Sequence, residues 1–247
     1  MTATAMTATP ILQVQGLVKR FGGFTALDGI DLAIAPGERL GLIGPNGSGK
    51  TTLINCISGT LIADEGAVLF ETGNVTRMKP NQRTALGIAR SFQIPRPFGS
   101  MTVAQNIAIP LEYLGRGGKG KSGIMEEARD ILGLMGLEPV ADTQANGLNQ
   151  IELRKLELAR AMACHPKLLV SDEAMAGLSG NEVDEILEIL LAVNARGVAI
   201  IMIEHIMRAV MGFSERIAVL DAGKKIADGS PADIMNNPDV ERAYLGE

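Results

Sequence analysis

The sequence predicts an α/β fold, and three observations predict it. An apolar run at residues 40–43 leads directly into a glycine-rich loop, and the loop leads into a helical segment, Lys50–Ser58. Further apolar runs suited to buried strands recur at residues 67–70, 88–92, 168–170, 198–203 and 217–220, with helical periodicity between several of them. With 46% apolar side chains over 247 residues, the chain can bury a full core in one large domain.

Each element follows in order. Residues 1–10 carry no basic start followed by an apolar stretch, and read as a loose tail rather than a signal peptide. Residues 30–34 alternate apolar and polar, and Pro36, Gly37 and Glu38 turn the chain into the 40–43 strand. Gly59 ends the helix that follows the glycine-rich loop. Residues 93–163 depart from strand–helix alternation. They read as an inserted helical subdomain broken by Pro95, Pro97, Pro110 and the glycine-rich stretch 115–123, leaving a core of residues 11–92 and 164–247. Arg116, Lys119 and Lys121 in that stretch are expected to belong to a solvated connection.

Composition narrows the function. A formal charge of −5 gives no overall positive field, so nucleic acid is not an expected partner. Cys56 and Cys164 lie in apolar surroundings without metal-ligand spacing, as buried reduced thiols would in a reducing compartment. The most continuous apolar stretch of the second half, residues 198–203, falls far short of the roughly 20 residues a membrane helix needs. No repeat of solenoid length and no heptad run is visible.

The glycine-rich loop carries chemistry. Gly44-Pro45-Asn46-Gly47-Ser48-Gly49-Lys50-Thr51 fits G-x-x-x-x-G-K-[ST] between a predicted strand and a predicted helix. Such a loop turns successive backbone N–H groups toward phosphate oxygens, and the helix N-terminus adds its dipole. Lys50 is expected to reach the β- and γ-phosphates, Thr51 to offer its hydroxyl to magnesium, and Thr52 to support phosphate binding. A second element, Leu168-Leu169-Val170-Ser171-Asp172-Glu173, is a buried strand ending in two carboxylates. Alone it would be an ordinary acidic strand end. Beside a phosphate loop, Asp172 is suited to holding magnesium through water and Glu173 to deprotonating an attacking water.

With these motifs the chain resembles the nucleotide-binding subunit of ATP-binding cassette (ABC) transporters from about residue 11 onward. The resemblance implies a P-loop NTPase core with an antiparallel β subdomain and an inserted α-helical subdomain, with ATP and Mg2+ as cofactors. It implies that Gln93 meets magnesium or the attacking water, that His205 contacts the γ-phosphate and positions the catalytic glutamate, and that Phe21 stacks on adenine, with Phe24 a weaker candidate. Residues 90–98 with Met101-Thr102-Val103, residues 203–211 and the tail from Asp228-Gly229 to Tyr244-Leu245-Gly246-Glu247 are similar to the branched-chain amino acid importers and their close relatives. That similarity implies integral membrane permease subunits as partners and a place on the inner face of the cell membrane.

The family signature, Leu-Ser-Gly-Gly-Gln, aligns with Leu148-Asn149-Gln150-Ile151-Glu152, which lacks the serine and the second glycine. In this family the signature of one subunit closes over the nucleotide of the other. Asn149 keeps a polar side chain, Ile151 puts a β-branched residue where glycine allows close approach, and Glu152 ends the motif. Ala174 replaces the usual proline, and Ser179 the usual aspartate. The expected partner is therefore a second, different ATPase subunit, with a homodimer as the alternative. A lipid or lipopolysaccharide exporter shares these motifs. A non-transport cassette lacks its expected tandem or coiled-coil features here, and a simple P-loop kinase leaves Gln93, the residual signature and His205 without a purpose.

Overall fold

Apolar side chains at every second position give sheets a single buried face, and unbroken apolar runs give strands buried on both faces. Both patterns occur in the computed structural model, which describes residues 9–92, 94–114 and 120–245. Gln93, Arg116 and Lys119 lie outside the described residues.

Strands β1 (Leu12–Phe21) and β2 (Phe24–Ile34) form an antiparallel hairpin. β3 (Arg39–Ile43) and α1 (Lys50–Ser58) flank the phosphate loop, followed by β4 (Glu65–Phe70), β5 (Gly73–Asn74), α2 (Pro80–Leu86) and β6 (Ile88–Ser91). Helices α3 (Val103–Tyr113), α4 (Lys121–Leu134) and α5 (Gln150–Met162) come next, then β7 (Leu168–Asp172), α6 (Gly180–Asn194), β8 (Ala199–Ile203), α7 (Met207–Phe213), β9 (Arg216–Asp221), β10 (Lys224–Gly229), α8 (Pro231–Met235) and α9 (Pro238–Leu245). One sheet is antiparallel, in the order β2-β1-β4-β5. The other runs β10-β9-β3-β8-β7-β6, parallel except for β10.

Helix α1 lies between the sheets. Leu53, Ile54 and Ile57 share one buried cluster with Leu12, Leu17 and Leu27 of the antiparallel sheet and with Leu42, Val170, Ile201 and Leu220 of the parallel one. The opposite face of the parallel sheet, including Leu169, Ile200, Met202 and Val219, packs on a second cluster. There the 103, 107, 111 stripe of α3 meets Leu132 of α4 and Leu156 of α5, a spacing that puts those side chains on one helix face. No described helix is long and apolar enough to cross a membrane.

The structure corrects two sequence readings. Pro110 sits inside α3 rather than breaking the helical segment. It falls close to the C-terminus, where its missing N–H costs one bond, and its own carbonyl still accepts from Leu114 N at 3.1 Å. Cys56 is buried, with burial pushing its thiol up to about 11, but Cys164 is only half-buried.

Arg83 fixes the C-terminal end of α1. Its fully buried guanidinium donates to Cys56 O at 2.5 Å, Ile57 O at 2.7 Å, Thr76 O at 2.8 Å and Met78 O at 3.1 Å. The last carbonyls of a helix have no partner within it, so one cation satisfies them and opposes the negative end of the dipole. Arg83→Met removes the donor from two buried carbonyls, Cys56 O and Ile57 O, and from two half-buried ones, Thr76 O and Met78 O. We expect a loss of about 3 kcal/mol, a fall in Tm of roughly 6–12 °C at this size, measurable by thermal denaturation.

Candidate active site

The loop between β3 and α1 is wedged between the two sheets. Gly44 adopts φ 147°, and a Cβ there would lie 2.0 Å from Leu220 O of β9. Gly49 adopts φ 106°, and its Cβ would lie 2.7 Å from Ala26 O of β2. Both positions require glycine for conformation and for space. Lys50 is buried, and its ammonium donates to Gly44 O at 2.7 Å and Pro45 O at 3.0 Å. Burial lowers its pKa, while the charges of Glu173 and Asp172 work to raise it.

The carboxylates arrive from neighbouring strands. Asp172 ends β7 opposite Ile203, the last residue of β8, in parallel register. Glu173 then turns out of the sheet at φ 50°, with its N–H donating to Ile203 O at 2.9 Å. A left-handed conformation is strained for a residue with a side chain, and such strain concentrates at functional sites. His205 follows β8 by two residues, and its Nε2 lies 3.0 Å from Glu173 Oε1. Adjacent parallel strands thus deliver acid and imidazole to one sheet edge, the place where open α/β sheets bind ligands.

Two adjoining cavities open at that edge. One, of about 300 Å³, is lined by Asn46, Gly47, Ser48, Gly49, Lys50, Thr51, Thr52, Glu173 and His205, with Phe21 and Phe24 at its rim. Both phenylalanines are exposed there, and Lys19 lies over the Phe21 ring with its Nζ 5.5 Å from the centroid. The second, of about 460 Å³, is lined by Thr51, Asp172, Glu173 and Arg90, among others. Thr51 and Glu173 line both.

Three residues at this site carry no role in the sequence reading. Arg90 Nη2 donates to Asp172 Oδ2 at 2.5 Å, and its Nη1 to Asn55 Oδ1 at 2.7 Å. The available signal was a basic residue inside an otherwise buried strand. Glu204, between Ile203 and His205, is buried, and its Oε1 accepts from Met175 N at 2.8 Å. Burial raises its pKa, with the neighbouring charge of Glu173 adding to the rise.

The signature residues stand apart. Asn149 caps α5: its side chain accepts from Glu152 N at 3.0 Å, while Glu152 accepts from Asn149 N at 2.9 Å. Ile151 packs against the helical core, and none of the three lines either cavity. Ser179 caps α6, with its N–H and hydroxyl both donating to Glu182 Oε2, at 2.7 and 2.6 Å. Ala174 is buried in the core behind Glu173.

Comparison with known proteins places this geometry. Residues 27–176 match the ABC transporter family, and residues 224–247 match the family described as branched-chain amino acid ATP-binding cassette transporter. The chain is 40% identical over 245 residues to the probable branched-chain amino acid transport ATP-binding protein LivG of Archaeoglobus fulgidus, covering 96% of this chain and 95% of that protein. It is 38% identical over 251 residues to the high-affinity branched-chain amino acid transport ATP-binding protein LivG of Escherichia coli K12, covering 96% and 98%. Among solved structures it is similar to a nucleotide-free ATP-binding cassette from an ABC transporter, with a TM-score of 0.87, 34% identity and 97% and 100% of the two chains covered. It is also similar to the ADP conformation of such a cassette, with a TM-score of 0.86, 32% identity and the same coverage. With its phosphate loop, carboxylate pair and histidine at one sheet edge, the chain belongs to the ABC transporter family as an ATP-hydrolysing subunit.

Proposed function

We propose that this chain powers the import of branched-chain amino acids, or of a related small solute, from the inner face of a membrane. The carrying observation is the convergence of Lys50, Thr51, Glu173 and His205 on one cleft, in a chain related over nearly its whole length to importer ATPases. The loop N–H groups, the α1 N-terminus and Lys50 bind the phosphates of ATP, and Phe21 or Phe24 stacks on the base. Glu173 takes a proton from the attacking water, and His205, within hydrogen-bond reach of it, orients the carboxylate.

Thr51 and Asp172 suit magnesium. Among the described residues no group of three or more His, Cys, Asp or Glu side chains could hold an ion unaided. That agrees with an ion that keeps several waters and relies on one or two carboxylates plus phosphate oxygens. When bound with ATP, magnesium neutralises phosphate charge. Gln93 is assigned to the same site by the family motif alone.

A membrane permease docks in the groove between β6 and the helical segment. The groove, of about 350 Å³, is lined by Phe92, Phe98, Ile109 and Tyr113 among others, and Phe92, Phe98 and Tyr113 are exposed large apolar or aromatic side chains. The second ATPase subunit is a different chain. The Asn149 oxygen and the Glu152 carboxylate are used in capping α5, and half-buried Ile151 packs against the core. This signature therefore offers a nucleotide across a dimer interface the Asn149 amide NH2 but neither a serine hydroxyl nor a second glycine. Loss of one preorganised donor at such a site lowers a rate about a hundredfold or more.

Three outcomes follow. The purified chain binds ATP with magnesium, but its hydrolysis per subunit stays flat as chain concentration rises; a rate that climbs with concentration overturns the heterodimer. In the transporter assembled in vesicles, Glu173→Gln retains ATP binding while kcat falls by a factor of about 10² to 10⁴, and uptake of radiolabelled leucine stops with it. Glu204 gives a pH signature. Its folded pKa stands above the ordinary 4.5, so the folded state holds the proton more tightly and stability is lost as pH rises past that value. Glu204→Gln keeps an acceptor for Met175 N but cannot ionise, so it raises Tm at neutral pH, and the gain vanishes below about pH 4.5 in thermal melts across a pH series.

A further inference from the structure

Arg90 stands in the wall between two cavities. It belongs to β6, opposite Val170 of β7, and its guanidinium extends to the end of β7. There it holds Asp172 at 2.5 Å and Asn55 at 2.7 Å, while its charge lies 5.2 Å from the centre of the Phe92 ring. The side chains of Arg90 and Asp172 are only 10% and 11% exposed. Arg90 and Phe92 line both the cavity of Thr51, Asp172 and Glu173 and the groove beside Phe98 and Tyr113.

A buried ion pair removes two charges from water, and for stability alone an apolar pair of the same shape often serves as well. This pair sits on the carboxylate that lines one cavity with Thr51. A cation held there meets a fixed guanidinium already bonded to the same carboxylate, in surroundings where charges are poorly screened.

We propose that Arg90 is a positioning residue that serves as the internal counter-ion of Asp172, fixing its orientation while opposing the metal for its charge. The proposal rests on reading Asp172 as the magnesium carboxylate. It makes Arg90, which lines both the metal cavity and the apolar groove, the link between them, so movement of Phe92 reaches Asp172 through Arg90.

The test measures metal binding directly. Free Mn2+ is counted by electron paramagnetic resonance during titration of the full-length chain with a non-hydrolysable ATP analogue, with Tm recorded for each variant. Arg90→Met and Arg90→Gln lower the half-saturating Mn2+ concentration about tenfold, the scale of one partly screened charge, while Arg90→Lys stays within about threefold of the parent. Unchanged or weaker binding in a folded neutral variant overturns the proposal, and so does a lysine variant that behaves like the neutral ones. Arg90→Gln, which keeps a polar contact for Asn55, decides the matter if the methionine variant does not fold. Asp172→Asn separates the two readings: if it leaves Mn2+ binding intact, the assignment of Asp172 fails, whatever Arg90 does.

Discussion

Two backbone carbonyls position the phosphate loop. Leu220 O from the parallel sheet closes on Gly44, and Ala26 O from the antiparallel sheet closes on Gly49. The loop therefore exists in this shape only while both sheets are in place on either side of α1. That explains why the cluster holding Leu53, Ile54 and Ile57 draws on both sheets. Any side chain at either glycine would push a sheet away, and the helix that begins at Lys50 would lose its orientation. Arg83 performs the matching task at the far end of α1, so the helix is held at its N-terminus by sterics and at its C-terminus by charge.

Charge is arranged around that helix. The cations Lys50 and Arg90 flank Asp172 and Glu173, two adjacent carboxylates that would otherwise repel each other, and His205 Nε2 lies within hydrogen-bond distance of Glu173. Glu204 adds a third acid just behind them, where burial favours its protonated form. A site of this kind is preorganised for an anionic ligand with its cation, because the fixed charges are in position before either binds.

The parts visible in the sequence are those with a local cause. The loop, the strand into Asp172 and Glu173, and the strand before His205 each have their pattern within a few consecutive residues. β1 escaped because its pairing with β2 shifts register after Val14, Leu17 and Lys19, which breaks the period-two alternation. β10 escaped because it is an edge strand in which Lys224, Lys225 and Asp228 flank only two apolar residues, Ile226 and Ala227, too few to show a period. At the site, Arg90 and Glu204 were illegible for another reason. Their partners, Asp172 at a separation of 82 residues and Met175 at 29, become neighbours only through sheet order.

The altered signature follows the same logic of local against distant demand. Asn149 and Glu152 satisfy two N–H groups at the start of α5, which any helix must have satisfied by some group. Gln150 and Arg154 then reach Gly177 O at 3.3 Å and Ala176 O at 3.1 Å, just after the turn that carries Glu173. These contacts tie α5 to the segment just after Glu173, and the Asn149 oxygen and the Glu152 carboxylate are committed to the start of their own helix. On the proposed reading the signature has become a strut between the helical segment and Glu173, and the closing contact on this chain's ATP comes from a partner that has kept its glycines.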